Sequence, residues 1–184
     1  MSTQLEMADM TAENYCKFYS SAVSKMNIDG ADQVMERWIL NYADAFDYSP
    51  RPDWCERRTP QECFRNAFLL AGEDRGIELG LVYCEGFVLS SDIPILIHHG
   101  WCVTPDGQVI DPTLPQAGDE GVGTMPGRVS AIPMNTTYFG VKLPDYKALC
   151  KLAVERRIYG VLYSEPGHAL IEATCAKTSG NSDG

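Results

Sequence analysis

The chain has 184 residues, of which 45% are hydrophobic, and it carries a formal net charge of −10 at pH 7. A chain of this size and composition is expected to form a single globular domain with an ordinary core. Its acidity and its lack of basic runs argue against nucleic acid as a partner, because phosphate recognition depends on lysine and arginine. No apolar stretch approaches the roughly 20 residues of a membrane span, and the N-terminus does not resemble a secretory leader, which predicts a cytoplasmic location.

The seven cysteines form no regular framework. They contain no CxxC pair, and the three histidines do not fall at zinc-ligand spacing, so we predict neither a metal nor an organic cofactor. Cysteines outside a reactive site pack as small hydrophobic residues. We therefore expect most of them to be reduced and inert, with Cys84 and Cys102 in the core of a sheet.

Helical periodicity dominates the first part of the chain. Apolar residues recur at helical spacing over residues 11–25, and again from Asp29 or Gly30 to about Phe46. Residues 48–54 contain two prolines and are predicted to form a loop.

The next helix is predicted to start at Thr59. Thr59 is a good N-cap, Pro60 suits the first helical position, and Glu62 completes a capping box. This helix should end around residues 72–76, and Cys63 is its fourth residue. Near the positive end of a helix dipole, backbone N–H groups stabilise a thiolate and can hold a developing oxyanion. The alternative is that Cys63 simply packs in an amphipathic helix, as buried cysteines do.

The remaining sequence predicts a mostly antiparallel sheet with one more helix. Strands are predicted over 78–89, 93–103, 108–111, 136–142, 159–163 and 168–174, a glycine-rich loop over 115–130, and a helix over 144–157. Residues 177–184 are expected to form a disordered tail, which leaves 1–176 as one domain. Helices followed by an antiparallel sheet indicate an α+β fold.

The segment Pro105-Asp106-Gly107 separates two apolar runs and is typical of a three-residue hairpin turn with glycine last. Thr104 then pairs with Gln108, which makes Asp111 a diagonal neighbour of His99. Diagonal neighbours are about 7–8 Å apart, which leaves room for a hydrogen bond between the two side chains.

Two alternatives stay open for this region. A two-residue turn would bring His98 rather than His99 to the face of Asp111, although the turn residues favour His99. Asp111 also suits the start of a turn before Pro112, and a histidine is often only a polar strand residue.

Cys63, His99 and Asp111 supply a nucleophile, a base that takes its proton, and an acid that fixes the tautomer of the base. The surrounding segments together resemble the transglutaminase-like branch of the papain superfamily, in its small bacterial and phage domains. The resemblance covers about residues 59–142. It is carried by Glu62-Cys-Phe-Arg-Asn-Ala, Tyr83-Cys-Glu-Gly-Phe, His99-Gly-Trp, Gly107-Gln-Val-Ile-Asp-Pro-Thr and Tyr138-Phe-Gly-Val.

The resemblance implies a papain/transglutaminase-like core with an antiparallel sheet and N-terminal helices, and a Cys63, His99 and Asp111 catalytic triad. Gly100 departs from the family motif, which usually has alanine there, and residues 1–58 are not covered. The implied activity is cysteine-dependent acyl transfer, as an amide hydrolase, protease, deamidase or transamidase, on a peptide, a protein or a small amide. The alternative is a phage or bacterial binding or inhibitor module that keeps the fold and sequesters a ligand or a protein.

The sequence is less specific about the roles of four further polar residues: Gln61, Asn66, Glu85 and His168. Asn66, one helical turn after the candidate nucleophile, either lines the site or satisfies a helix contact, and Gln61 either donates to an oxyanion or serves helix capping. Glu85 lies between aromatic residues on its strand and is expected to be a buried partner of Arg65 rather than a substrate contact. No partner is predicted for His168.

Overall fold

The computed structural model describes residues 10–26, 38–90, 93–122, 130–132 and 135–179. These residues form an α+β fold in which helices flank a five-stranded antiparallel sheet. The helices are α1 (Ala12–Met26), α2 (Leu40–Tyr42), α3 (Cys63–Gly72), α4 (Asp74–Glu78), α5 (Tyr146–Arg156) and α6 (Glu165–Ser179). The strands are β1 (Asp44–Asp47), β2 (Val82–Ser90), β3 (Ile93–Val103), β4 (Val109–Ile110) and β5 (Thr137–Leu143). None of the described helices is long and apolar enough to cross a membrane.

The strand order is β1-β5-β2-β3-β4, so the two longest strands, β2 and β3, lie side by side. Side chains alternate between the two faces of the sheet. One face packs against the helices through a core that includes Tyr83, Phe87, Cys102, Phe139 and Val141, and the other carries a smaller core of Cys84, Val88, Trp101, Val103, Val109 and Tyr138. Both faces are therefore covered. Cys84 and Cys102 are fully buried, as predicted.

The predicted hairpin between β3 and β4 is confirmed. The N–H of Thr104 donates to the carbonyl oxygen of Gln108 at 3.0 Å, and the N–H of Gly107 donates to that of Thr104 at 2.9 Å. Gly107 has a φ of 88°, which glycine adopts without the steric cost that other residues incur. Val103 consequently pairs with Val109, the register expected from the turn residues.

The predicted start of the helix that carries Cys63 is wrong. α3 begins at Cys63 itself, and Glu62 occupies the N-cap position without a side-chain cap hydrogen bond. Gln61 has a φ of 67°, so the chain turns sharply just before the helix. The Asn66 side chain donates to the carbonyl oxygen of Thr59 at 2.7 Å, and this contact holds Thr59 outside the helix. Cys63 is therefore the first helical residue rather than the fourth.

The second predicted helix, from Asp29 or Gly30 to about Phe46, lies partly outside the described residues. Its described part is helical only to Tyr42, and Asp44–Asp47 form strand β1 instead. This strand pairs with β5, and Phe46 packs against the smaller core, so burial in the sheet overrides the helical pattern.

Four of the other predicted elements, those that correspond to α1, β3, β5 and α5, are confirmed to within two residues. β2 begins at Val82 rather than at residue 78, because α4 and a turn with Gly80 at a φ of 64° precede it. α6 continues to Ser179, into the segment predicted to be a tail, and residues 180–184 lie outside the described part of the chain.

The two strands predicted over 159–163 and 168–174 are wrong, because the chain there forms a turn followed by helix α6. The Ser164 hydroxyl accepts a hydrogen bond from the N–H of Gly167 at 3.1 Å. Serine in this position satisfies an N–H group that has no partner within the helix. The helix therefore starts at Glu165 and runs through residues 168–174, the segment predicted to form a strand.

The turn before α6 is held by the buried carboxylate of Glu85. Its Oε2 accepts from the N–H of Val161 at 2.6 Å, and its Oε1 accepts from the N–H of Leu162 at 2.9 Å. The other two donors are the Tyr83 hydroxyl at 3.0 Å and His98 Nε2 at 2.9 Å. The structural role predicted for Glu85 is confirmed, but its predicted partner is wrong, since Arg65 pairs with Glu62.

Replacement of Glu85 by glutamine is expected to destabilise the fold, because each carboxylate oxygen accepts from one backbone N–H. Whichever way the amide is turned, its NH₂ group meets a buried N–H donor. We expect Glu85→Gln to lower the free energy of unfolding by about 1–3 kcal/mol in a urea titration. Glu78→Gln makes the same chemical change on a side chain that is 67% exposed and should stay within about 0.5 kcal/mol. Equal stability of the two variants would contradict this role.

Candidate functional site

Cys63, His99 and Asp111 lie together, at the start of α3, in β3 and just after β4. His99 Nε2 bonds to Asp111 Oδ2 at 2.8 Å, and the Cys63 side chain is close enough to His99 for the ring to lower the pKa of the thiol. Because Asp111 engages Nε2, Nδ1 is the ring nitrogen available to the sulfur. His99 and Asp111 are buried, whereas Cys63 is partly exposed. Of the three residues, Cys63 is therefore the one that is open to solvent.

The first turn of α3 approaches β3 closely because residue 100 is a glycine. A Cβ atom on Gly100 would lie 3.1 Å from Phe64 Cα and 3.1 Å from the Phe64 ring, closer than side chains usually pack. The backbone N–H groups of Gly100 and Phe64 also help to lower the pKa of the Cys63 thiol. This close approach is a physical reason for glycine at residue 100.

Both carboxylate oxygens of the fully buried Asp111 accept hydrogen bonds. Oδ1 accepts from the N–H groups of Thr113 at 2.8 Å and Leu114 at 3.0 Å, and Oδ2 accepts from the Tyr138 hydroxyl at 3.1 Å as well as from His99. Burial raises the pKa of Asp111, but the His99 charge and these hydrogen bonds outweigh it and hold the pKa below its ordinary value. Asp111 thus forms a turn through one oxygen and holds His99 through the other.

The electrostatics of the site favour a charged cysteine–histidine pair. Burial lowers the pKa of His99, but the charge and hydrogen bond of Asp111, together with Cys63, raise it to about 10. Burial raises the pKa of Cys63, but the hydrogen bond and charge of His99 and the two N–H groups bring it below its ordinary value. Between these two pKa values the sulfur is a thiolate, the nucleophilic form of cysteine.

Arg51 holds the loop after Asp111, and nothing in the sequence singles it out for this role. Its side chain is 4% exposed, donates to the carbonyl oxygens of Asp111 at 3.1 Å and Leu114 at 3.2 Å, and pairs with Asp119. Arginine is mostly exposed, and the local pattern around Arg51 is that of a proline-containing surface loop. The sequence does not predict the contact of Tyr138 with Asp111 either, because a tyrosine in a strand usually indicates apolar packing.

The other two histidines lie apart from this pair. His98 binds a different buried carboxylate, so the prediction that the hairpin places His99 rather than His98 beside Asp111 is confirmed. His168 bonds through Nε2 to a backbone carbonyl oxygen at 2.8 Å and stacks on Trp38 with ring centroids 4.8 Å apart. The prediction that His168 lacks a partner is therefore wrong.

Comparison of the chain with protein families, with curated proteins and with solved structures found no match. Among the described residues, no group of three or more histidine, cysteine and carboxylate side chains is placed to hold a metal ion. The chemistry of the site is accordingly interpreted from its geometry and electrostatics.

Proposed function

We propose that this protein is a cysteine-dependent acyl-transfer enzyme with a papain/transglutaminase-like core, acting on an amide or ester group of a peptide, a protein or a small molecule. Cys63 is the nucleophile, His99 the general acid and base, and Asp111 the residue that orients His99. The observation that carries the proposal is the arrangement of a partly exposed cysteine beside a buried histidine whose ring is hydrogen-bonded to a buried carboxylate. Nucleophilic cysteines are activated by this kind of partner.

The first half of the reaction forms a thioester. The Cys63 thiolate attacks the carbonyl carbon, and the carbonyl π electrons move to oxygen. As the carbonyl re-forms, the bond to the leaving amine or alcohol breaks, and the His99 imidazolium gives that group its Nδ1 proton. His99 Nε2 keeps its proton throughout and donates it in a hydrogen bond to Asp111, so Nδ1 faces the sulfur before and after the transfer.

The second half resolves the thioester. Neutral His99 takes a proton from water or from an amine as that molecule attacks the thioester carbonyl. The Cys63 thiolate leaves when the carbonyl re-forms, which restores the charged pair. Water as the acceptor gives hydrolysis or deamidation, an amine gives transamidation, and the same three residues serve all of these reactions.

The start of α3 supports the oxyanion that both steps produce. The first N–H groups of a helix have no partner within the helix, and Cys63 is the first residue of α3. The N–H of Cys63 itself is therefore available to stabilise the negative charge on the oxygen of an acyl group whose carbon is bonded to the sulfur.

A small activated ester tests acyl transfer directly. With p-nitrophenyl acetate near neutral pH, we expect a burst of nitrophenol and an acetyl group on Cys63, located by peptide mass mapping. Cys63→Ala should abolish both signals. Cys150→Ala, at a second partly exposed cysteine, should keep both. If Cys150 is acetylated as fast as Cys63, or Cys63 is not acetylated, the proposal fails and the binding-module alternative gains support.

The pH profile of Cys63 alkylation should report the charged pair. We expect the rate with iodoacetamide to level off at a pH below the ordinary thiol pKa of about 8.5, because His99 stabilises the thiolate. A second change is expected near pH 10, where His99 loses its proton. In His99→Ala, the largest effect that offsets the burial of the sulfur is lost, so a single inflection should appear at higher pH than in the parent. Superimposable profiles of Cys63 in the parent and in His99→Ala would show that no such pair exists.

Asp111→Asn should reverse the tautomer of His99. The asparagine oxygen can still accept from the Thr113 and Leu114 N–H groups, but its NH₂ then faces Nε2, which must accept. Nδ1 consequently carries the proton and cannot take one from Cys63. In serine triads this change lowers turnover by about 10⁴-fold, and a pre-formed ion pair softens the loss. We expect a folded variant, by circular dichroism, in which Cys63 is alkylated at least several-fold more slowly at neutral pH. An unchanged rate would remove Asp111 from the mechanism.

A further inference from the structure

A buried hydrogen bond joins the helix of the nucleophile to the loop of the acid. Asn66 lies in the first turn of α3, and its Nδ2 donates to Thr113 Oγ1 at 3.0 Å and to the carbonyl oxygen of Thr59 at 2.7 Å. Asn66 is 4% exposed and Thr113 is 6% exposed. Both N–H bonds of the amide group are therefore used, one on each side of α3.

Thr113 also contacts Asp111, so its position affects that of the carboxylate. Its backbone N–H donates to Asp111 Oδ1 at 2.8 Å, while the other oxygen of Asp111 binds His99. A closed ring of contacts thus runs from Cys63 along α3 to Asn66, across to Thr113 and Asp111, and through His99 back to the sulfur. The Asn66–Thr113 hydrogen bond is the step of this ring that crosses between the helix and the loop.

We propose that Asn66 and Thr113 are positioning residues, whose hydrogen bond sets the separation of α3 from the Asp111 loop and so aligns His99 with the Cys63 sulfur. This inference rests on the proposed function. Asparagine and threonine side chains commonly bond the backbone of their own turn. Here the two bond each other across 47 positions of sequence, in addition to the local contact of Asn66 with Thr59.

Other contacts hold the loop after Asp111 in place, so the Asn66–Thr113 hydrogen bond can be removed without releasing the loop. The N–H of Arg58 donates to the carbonyl oxygen of Pro112 at 2.7 Å, and Arg51 holds the carbonyl oxygens of Asp111 and Leu114. The loop therefore keeps these anchors when the Thr113 hydroxyl is removed. The expected defect is a misaligned site in a folded protein.

The test compares three substitutions at Thr113. Thr113→Val keeps the shape and removes the hydroxyl, Thr113→Ala removes it without placing a methyl group against the Asn66 amide, and Thr113→Ser keeps the hydroxyl but loses the methyl. The readouts are the rate of Cys63 alkylation at pH 6.5, the pH of its inflection, and the melting temperature. We expect the valine and alanine variants to react about 3- to 10-fold more slowly, with the inflection displaced to higher pH. Serine should restore both readouts toward the parent values.

Each outcome decides between the possibilities. If Cys63 of the parent protein is not alkylated quickly, with an inflection below the ordinary thiol pKa, the proposed function itself is overturned. If the parent is reactive, and either folded variant without the hydroxyl keeps the parent rate and inflection, the positioning role is wrong while the triad stands. If serine is as defective as alanine, the hydroxyl contributes nothing and packing of the methyl group is responsible, which also overturns the inference. A lower melting temperature with an unchanged inflection would show a purely structural role.

Discussion

The constraint on which the site depends is the burial of the Asp111 carboxylate. A carboxylate that is fully removed from water is costly unless its oxygens receive several good hydrogen bonds. Those donors come from β3, from the loop after β4 and from β5, through His99, the N–H groups of Thr113 and Leu114, and the Tyr138 hydroxyl. Ionised Asp111 and the packing of these three segments therefore require each other, and the orientation of His99 is a by-product of the same requirement.

Two histidine–carboxylate pairs start from adjacent residues of β3, and their different surroundings give them different roles. Side chains alternate along a strand, so His98 and His99 point to opposite faces, and each binds a buried carboxylate. Glu85 uses its other hydrogen bonds to hold the turn before α6, which makes the His98–Glu85 pair part of the structural framework. The equivalent pair on the other face, His99 and Asp111, lies beside a thiol at a helix start, and the proposed function rests on that pair.

The segment before α3, which the family resemblance does not cover, is part of the site's support. Arg51, Arg57 and Arg58 each donate to backbone carbonyl oxygens between residues 111 and 114. Carbonyl oxygens in a loop normally bond to water, so their capture by these arginines gives the loop a defined shape. The N-terminal part of the chain therefore contributes to the geometry of Asp111 without supplying a reacting group.

The sequence by itself determined the hairpin that brings His99 and Asp111 together, because the register depends on the turn residues 105–107 and on nothing distant. It also indicated the cysteine, but it misplaced the start of α3 and read the last helix as strands. Those features depend on partners far away in the chain: the Thr113 hydroxyl, 47 residues on, that accepts from the Asn66 amide, and the Glu85 carboxylate that takes two N–H groups 76 and 77 residues later. Only the tertiary structure decides such cases, because a local pattern cannot show which backbone groups a distant buried side chain will satisfy.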